Sequence, residues 1–173
     1  MTRIIGVAIG IPEPYSALLR EWRARAGDPQ ATQVHPHVTL LPPTKVLAEE
    51  LPVVEAHLEQ VAGGLPPFDM HLRGTGTFRP VSEVVFIAVA AGIGQCEQLE
   101  NSVRSGPLAR TTTFPYHPHV TVAHDVPPER LDFAYEGLTH FHARFRVSGF
   151  TMFEHDPDGV WQPQRDFQLR GRR

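Results

Sequence analysis

The chain has 173 residues, 41% of them hydrophobic and 20% charged, which is enough for one globular unit with a real core. Its net charge of −3, ten histidines uncounted, leaves no bulk basic field, so extended nucleic acid is excluded and a nucleic-acid partner would be held only by an end or as a small nucleotide. The single cysteine, Cys96, excludes an intramolecular disulfide and a cysteine-based zinc cluster and suits a reducing compartment.

Ile4-Ile5-Gly6-Val7-Ala8-Ile9 is a nearly continuous, β-branched-rich run, the pattern of a central strand covered on both faces. The apolar stretch Ile4 to Ile11 is too short to span a bilayer and lacks a secretory cleavage pattern, so a cytoplasmic chain with no membrane partner is expected. Tyr15, Leu18, Leu19 and Trp22 recur at helical spacing, with Arg20, Glu21 and Arg23 between them and Gly27-Asp28-Pro29 as the stop. A strand opening at His35-Pro36-His37 follows, expected to end at Pro42-Pro43. Leu47, Leu51, Val54, Leu58 and Val61 then mark a second helix whose first turn holds Glu49 and Glu50, and Gly63-Gly64 closes it. Phe68, Met70 and Leu72 alternate with Asp69, His71 and Arg73 as in a half-exposed strand, so the first lobe reads β-α-β-α-β.

After the turn-like Phe78-Arg79-Pro80, Val84 to Val89 is another buried strand, and Ile93, Cys96, Leu99 and Val103 give a helix ended by Gly106-Pro107. A second His-Pro-His strand follows at His117, then a short helix around Leu131 to Leu138. In the next strand Phe141, Ala143, Phe145 and Val147 face opposite to His142, Arg144 and Arg146, which assigns His140 and His142 to the surface. Asp156-Pro157-Asp158-Gly159 joins the last two strands in a hairpin containing Trp161 and Phe167. No linker separates the halves, so a single domain over 1–173 is expected, its lobes interleaved and each giving one motif, with a cleft between duplicated sheets and only Gly171-Arg172-Arg173 disordered.

The repeat itself carries the chemistry. His35-Pro36-His37-Val38-Thr39 returns as His117-Pro118-His119-Val120-Thr121, five identical residues in register. Strand alternation sends Val38, Leu40, Val120 and Val122 to the core and puts His37 beside Thr39, and His119 beside Thr121, on the other face. One His-x-Thr would read as an ordinary polar face; its recurrence points to two imidazoles and two hydroxyls converging on one phosphate. Such a pair supplies both base and acid near neutral pH, while the threonines donate to the non-bridging oxygens, and no metal or other cofactor is required. His35 and His117 lie on the same faces two residues earlier, either orienting the neighbouring imidazole or solvated at strand entry. Four histidines in one cleft would also suit a metal, but carboxylates near them in sequence are limited to Asp125. Arg79, Phe86, Tyr116 and His124 are further substrate-binding candidates, because they lie in or beside strands that should line the cleft; core packing competes for Phe86.

With His37-Val38-Thr39-Leu40 and His119-Val120-Thr121-Val122 in hand, the chain resembles the two-histidine (2H) phosphoesterases, and among them the bacterial 2′-5′ RNA ligase and RNA 2′,3′-cyclic phosphodiesterase group, over nearly its whole length. The resemblance implies a bilobal α+β fold with pseudo-twofold symmetry, in which covering helices back duplicated antiparallel sheets and both motifs face a central cleft. It also implies metal-independent opening of a 2′,3′-cyclic phosphate to a 2′-phosphate, at an RNA 3′ terminus or on a small cyclic nucleotide, with 2′-5′ ligase activity in some members. His37 and His119 would then be the acid–base pair, with Thr39 and Thr121 as phosphate anchors and a monomer sufficient. Where RNA-processing members commonly place an arginine, in His-x-Thr-x-x-Arg, this chain has His124. That departure keeps open a mononucleotide or ADP-ribose derivative as substrate, and a nucleotide-binding or regulatory protein that has lost turnover.

Overall fold

Nine residues, Thr2–Gly10, form strand β1, and its interior five are buried as the apolar run requires. The computed structural model describes residues 1–172. Among them β1 is followed by helix α1 (Tyr15–Arg25), β2 (His37–Leu47), α2 (Leu51–Gly63), β3 (Phe68–Thr77), β4 (Val84–Ala91), α3 (Ile93–Val103), β5 (His119–His124), α4 (Pro128–Gly137), β6 (His142–Val147), β7 (Gly149–His155) and β8 (Trp161–Gln168). The eight strands make one sheet, in the order β6-β3-β4-β5-β2-β1-β7-β8.

The repeat sets this order. Outward from the middle, β5-β4-β3-β6 on one side mirrors β2-β1-β7-β8 on the other, and the two four-stranded halves meet at the antiparallel pair Val38↔Val120. The units β1-α1-β2 and β4-α3-β5 are the duplicated pieces, and their helices cross over. Helix α1 leaves the β1 half yet packs behind β5, with Tyr15 against Phe145 of β6 and Phe141 just before it and Trp22 against Phe133 of α4; α3 leaves the β4 half and packs behind β2. The helices therefore lie on the face that buries Ile5, Val7, Ile9, Val38, Ile87, Val120 and Val122, and the exchange of α1 and α3 locks the halves together.

Several expectations need correction. Strand β2 does not end at Pro42-Pro43 but runs on to Leu47: its pairing with β1 skips both prolines, from Val7↔Leu41 to Ile5↔Thr44, so no donor is lost. Glu49 and Glu50 sit in a single 3-10 turn, Ala48–Glu50, and α2 begins only at Leu51, with Pro52 favoured in its first turn. β3, read as the last strand of the first lobe, belongs in space to the second half, paired with both β4 and β6. Arg23, one of the charged residues between the apolar positions of α1, is buried. Gly171 is ordered, its N–H donating to the Leu65 carbonyl, while Arg173 lies outside the described residues.

Candidate active site

At the junction of the halves, alternation and pairing together build a four-cornered group. Val38 and Val120 are fully buried on the helix side, which turns the half-buried His37, Thr39, His119 and Thr121 onto the open face. The strands run antiparallel through Val38↔Val120, so His37 stands across from Thr121 and Thr39 across from His119. In such a square the histidines occupy one diagonal, a spacing of about 7–8 Å with the Cβ atoms somewhat closer, which a phosphate group spans.

The duplication extends to a defect in each strand. Thr39 pairs with Ala8 and Leu41 with the next residue back, Val7, so Leu40 is an extra, bulged residue in β2. Thr121 pairs with Phe86 and Ala123 with Val85, which makes Val122 the extra residue in β5. In both motifs the fourth residue is the bulge. Residues paired across strands share a face, so the second bulge brings His124, opposite Val84, onto the same face as Thr121.

Both imidazoles are held alike. Nδ1 of His37 lies 2.7 Å from the carbonyl oxygen of His35, and Nδ1 of His119 lies 2.6 Å from that of His117. A carbonyl only accepts, so each Nδ1 carries a hydrogen and each Nε2 of the neutral ring is left with a free lone pair. Burial, with the charges of Arg23 and His119, lowers the His37 pKa to about 4 against the pull of its carbonyl partner. Burial and the neighbouring His117 lower that of His119 in the same direction. Aromatic rings wall the pair: Trp161 of β8 is 5.1 Å from the His37 ring, and Phe78 and Phe86 are 4.9 and 5.3 Å from that of His119. Small residues make room for these rings. A Cβ on Gly6 would come within 3.2 Å of Trp161, and one on Gly76 within 2.6 Å of Phe86.

The model of the 2′-5′ RNA ligase superfamily matches residues 11–159, a span that includes both motifs. The chain belongs to the 2′-5′ RNA ligase superfamily. One superfamily relative, from Halalkalibacterium halodurans and bearing the name phosphoesterase, is 30% identical over 126 residues, 73% of this chain and 72% of its own length. E. coli LigT shares the fold with a TM-score of 0.69 at 24% identity over 98% of each chain, and has been solved with 3′-AMP and with phosphate. A Thermus thermophilus protein aligns with a TM-score of 0.66 at 27% identity, over 98% of this chain and all of its own.

Around these four residues the other sequence candidates fall into distinct places. His35 and His117 do orient the neighbouring imidazoles, through their backbone carbonyls, while their side chains are exposed. Phe86 is buried beneath the rings of His117, His119 and Phe78. The Tyr116 hydroxyl donates to the Thr39 carbonyl at 2.7 Å, tying the segment before β5 to the first motif, and burial pushes its pKa up. Arg79 donates to Thr77 and to Asp132 of α4, and the His124 ring lies 3.2 Å from Asp125. Among the described residues no three His, Cys, Asp or Glu side chains converge as metal ligands.

Sequence reasoning missed Trp161 and Phe78 as walls, and missed a buried strap behind the site. Arg23 Nε donates to Asp28 at 2.8 Å and its other end to Gln30. The Asp28 carboxylate also accepts from the backbone N–H of Gln30 and, at 3.0 Å, of His124. It therefore fastens α1, the turn leading to the first motif and the end of β5 at one point. Asp28 reads in sequence as a helix stop; a bond across 96 residues leaves no local signal.

Proposed function

We propose that the protein is a metal-independent phosphodiesterase that opens 2′,3′-cyclic phosphates, on an RNA end or a small nucleotide, to a 2′-phosphate. The observation that carries the reading is the matched pair of Nδ1–H to carbonyl bonds, which leaves Nε2 as the free nitrogen of each ring on two histidines that lie diagonally across the central strand pair. One neutral Nε2 takes a proton from water as its oxygen attacks phosphorus. The P–O3′ bond breaks, and the other imidazole, protonated, gives its Nε2 proton to O3′, so one water is added overall. Thr39 and Thr121 donate to the non-bridging oxygens, where charge builds up. A 5′-hydroxyl in place of water would join two ends through a 2′-5′ linkage by the same step. Which histidine is base follows from how the substrate lies, since the two are held equivalently. LigT binding of 3′-AMP and phosphate supports a nucleotide phosphate as ligand. A single cytoplasmic copy suffices, because both motifs come from one chain.

Phosphorus NMR of a 2′,3′-cyclic mononucleotide and of an oligoribonucleotide ending in a cyclic phosphate, each incubated with the protein in chelator, tests this. A 2′-phosphomonoester is the expected product from at least one; both substrates unchanged would refute the reading. His124, in place of the arginine of RNA-processing relatives, favours as second reading a nucleotide-binding protein without turnover, which calorimetry would reveal as tight binding of an unaltered cyclic nucleotide.

A further inference from the structure

The pseudo-twofold symmetry fails in charge. On the open face of the β1 half, Gly6 and Ala8 floor the space beside His37, and Thr151, the cross-strand partner of Ala8, is hydrogen-bonded to Asp166. On the open face of the β4 half the outer strands carry a basic cluster. Leu72 is buried, and the residues alternating with it, Asp69, His71 and Arg73, pair across strands with Arg146, Arg144 and His142. Arg73, Arg144, Arg146 and His142 are exposed, and Asp69, bonded to Arg146, is the one acid on these two strands. Among the described residues Arg73 and Arg144 have no hydrogen-bond or ion-pair partner. Burial and the crowding charges of Arg144, Arg73 and His142 lower the His71 pKa.

The cluster is in line with the site. His119 pairs with Ala88 of β4; the pairs Leu72↔Val89 and Thr75↔Ile87 place Arg73 and Gly74 beside Ala88, and Arg73 pairs with His142 at the sheet edge. One row of neighbours thus runs His119, Ala88, Arg73, His142. Strands stand about 4.8 Å apart, so the guanidinium row begins roughly 10 Å from the second motif, close enough for the phosphates just upstream of a bound 3′ end. Ala88 and Ala90 put no bulk in the way, and the aromatic wall of Phe78 and Phe86 stands to the other side of this row.

We propose that Arg73, Arg144 and Arg146, with His71 and His142, form a backbone-binding site for the phosphates of a single-stranded oligoribonucleotide whose 3′ end occupies the two-histidine site. This rests on the phosphodiesterase reading and deepens it, by making an oligonucleotide end rather than a mononucleotide the substrate. The cluster compensates locally for a net charge of −3, and it serves two or three phosphates, not a long strand.

The test is fluorescence anisotropy with a 3′-phosphorylated octaribonucleotide, competed by a 3′-mononucleotide. The octamer should bind at least tenfold more tightly, with a log–log salt slope of about −0.7 for each of three phosphates. Arg73→Gln/Arg144→Gln should remove most of that advantage and flatten the slope, Arg144→Lys should keep most of both, and Arg3→Gln, in the other half, should change neither. Equal binding of octamer and mononucleotide, or an advantage that survives the double substitution in a protein of unchanged Tm, overturns the site. Turnover of the octamer ending in a 2′,3′-cyclic phosphate and of a 2′,3′-cyclic mononucleotide, followed in parallel, keeps the two claims apart. Activity without cluster-dependent octamer binding sinks the backbone site alone, and cluster-dependent binding without activity on any cyclic phosphate sinks the phosphodiesterase.

Discussion

A carbonyl oxygen cannot donate a hydrogen bond, and this fixes the working state of both histidines. With Nδ1–H committed to His35 and His117, each ring has only Nε2 left for a ligand, and burial favours the neutral form of both at pH 7. Acid–base chemistry needs one ring charged and one neutral. Because both pKa values are lowered, the singly protonated form grows as pH falls from 8 through 6.5, and it is lost only as the second proton binds near pH 4. For the free enzyme kcat/KM should therefore rise about tenfold per unit between pH 8 and 7, with an optimum between about 4 and 6.5. The optimum of kcat should lie higher, since a bound phosphate anion favours the charged ring. A kcat/KM maximum above pH 7 would contradict this assignment. At this scale the sequence was informative: the repeat alone nominated the four corner residues. It could not show that His35 and His117 act through their backbone, because a carbonyl has no residue-type signature.

Elements position these residues with devices that a pattern of apolar positions only partly exposes. Alternation located β3 and β6, whose outer faces are exposed, continuous apolar runs located the buried β1 and β4, and helical periodicity located α1, α2 and α3. It failed at Pro42-Pro43, where the strand continues because the prolines fall between ladder pairs, and at β3, whose place beside β6 is set by partners some 75 residues away. The bulges at Leu40 and Val122 were equally hidden, since a bulge is a mismatch between two strands and not a property of either. The Asp28 strap also belongs here, as one carboxylate holding α1, a turn and β5. Asp28→Ala leaves the Arg23 guanidinium buried without its counter-ion, and should cost about 3–5 kcal/mol in denaturant unfolding, with Arg23→Met/Asp28→Leu recovering part of it. A loss within 0.5 kcal/mol would mean that the strap carries no structural weight.

Across the whole molecule, two halves that touch at Val38↔Val120 stay in register because α1 and α3 each cover the other half. This explains why a duplicated sequence shows no linker, and why the motifs meet as a symmetric square although 82 residues separate them. The lobes were legible as an interleaved repeat; that β3 is the strand that changes halves was not, because chain order does not record which sheet edge a strand joins. The charge asymmetry of the open faces is likewise visible only once β3 and β6 are side by side. The central claim, that the two diagonal imidazoles act on one phosphate, is tested most directly by single-turnover opening of a 2′,3′-cyclic nucleotide in chelator by wild type, His37→Ala and His119→Ala. Each substitution should slow product formation by about 10²–10⁴-fold, and the double variant should be little slower than either single one. Turnover that survives loss of either ring, or that vanishes in chelator and returns with a divalent metal, would contradict it.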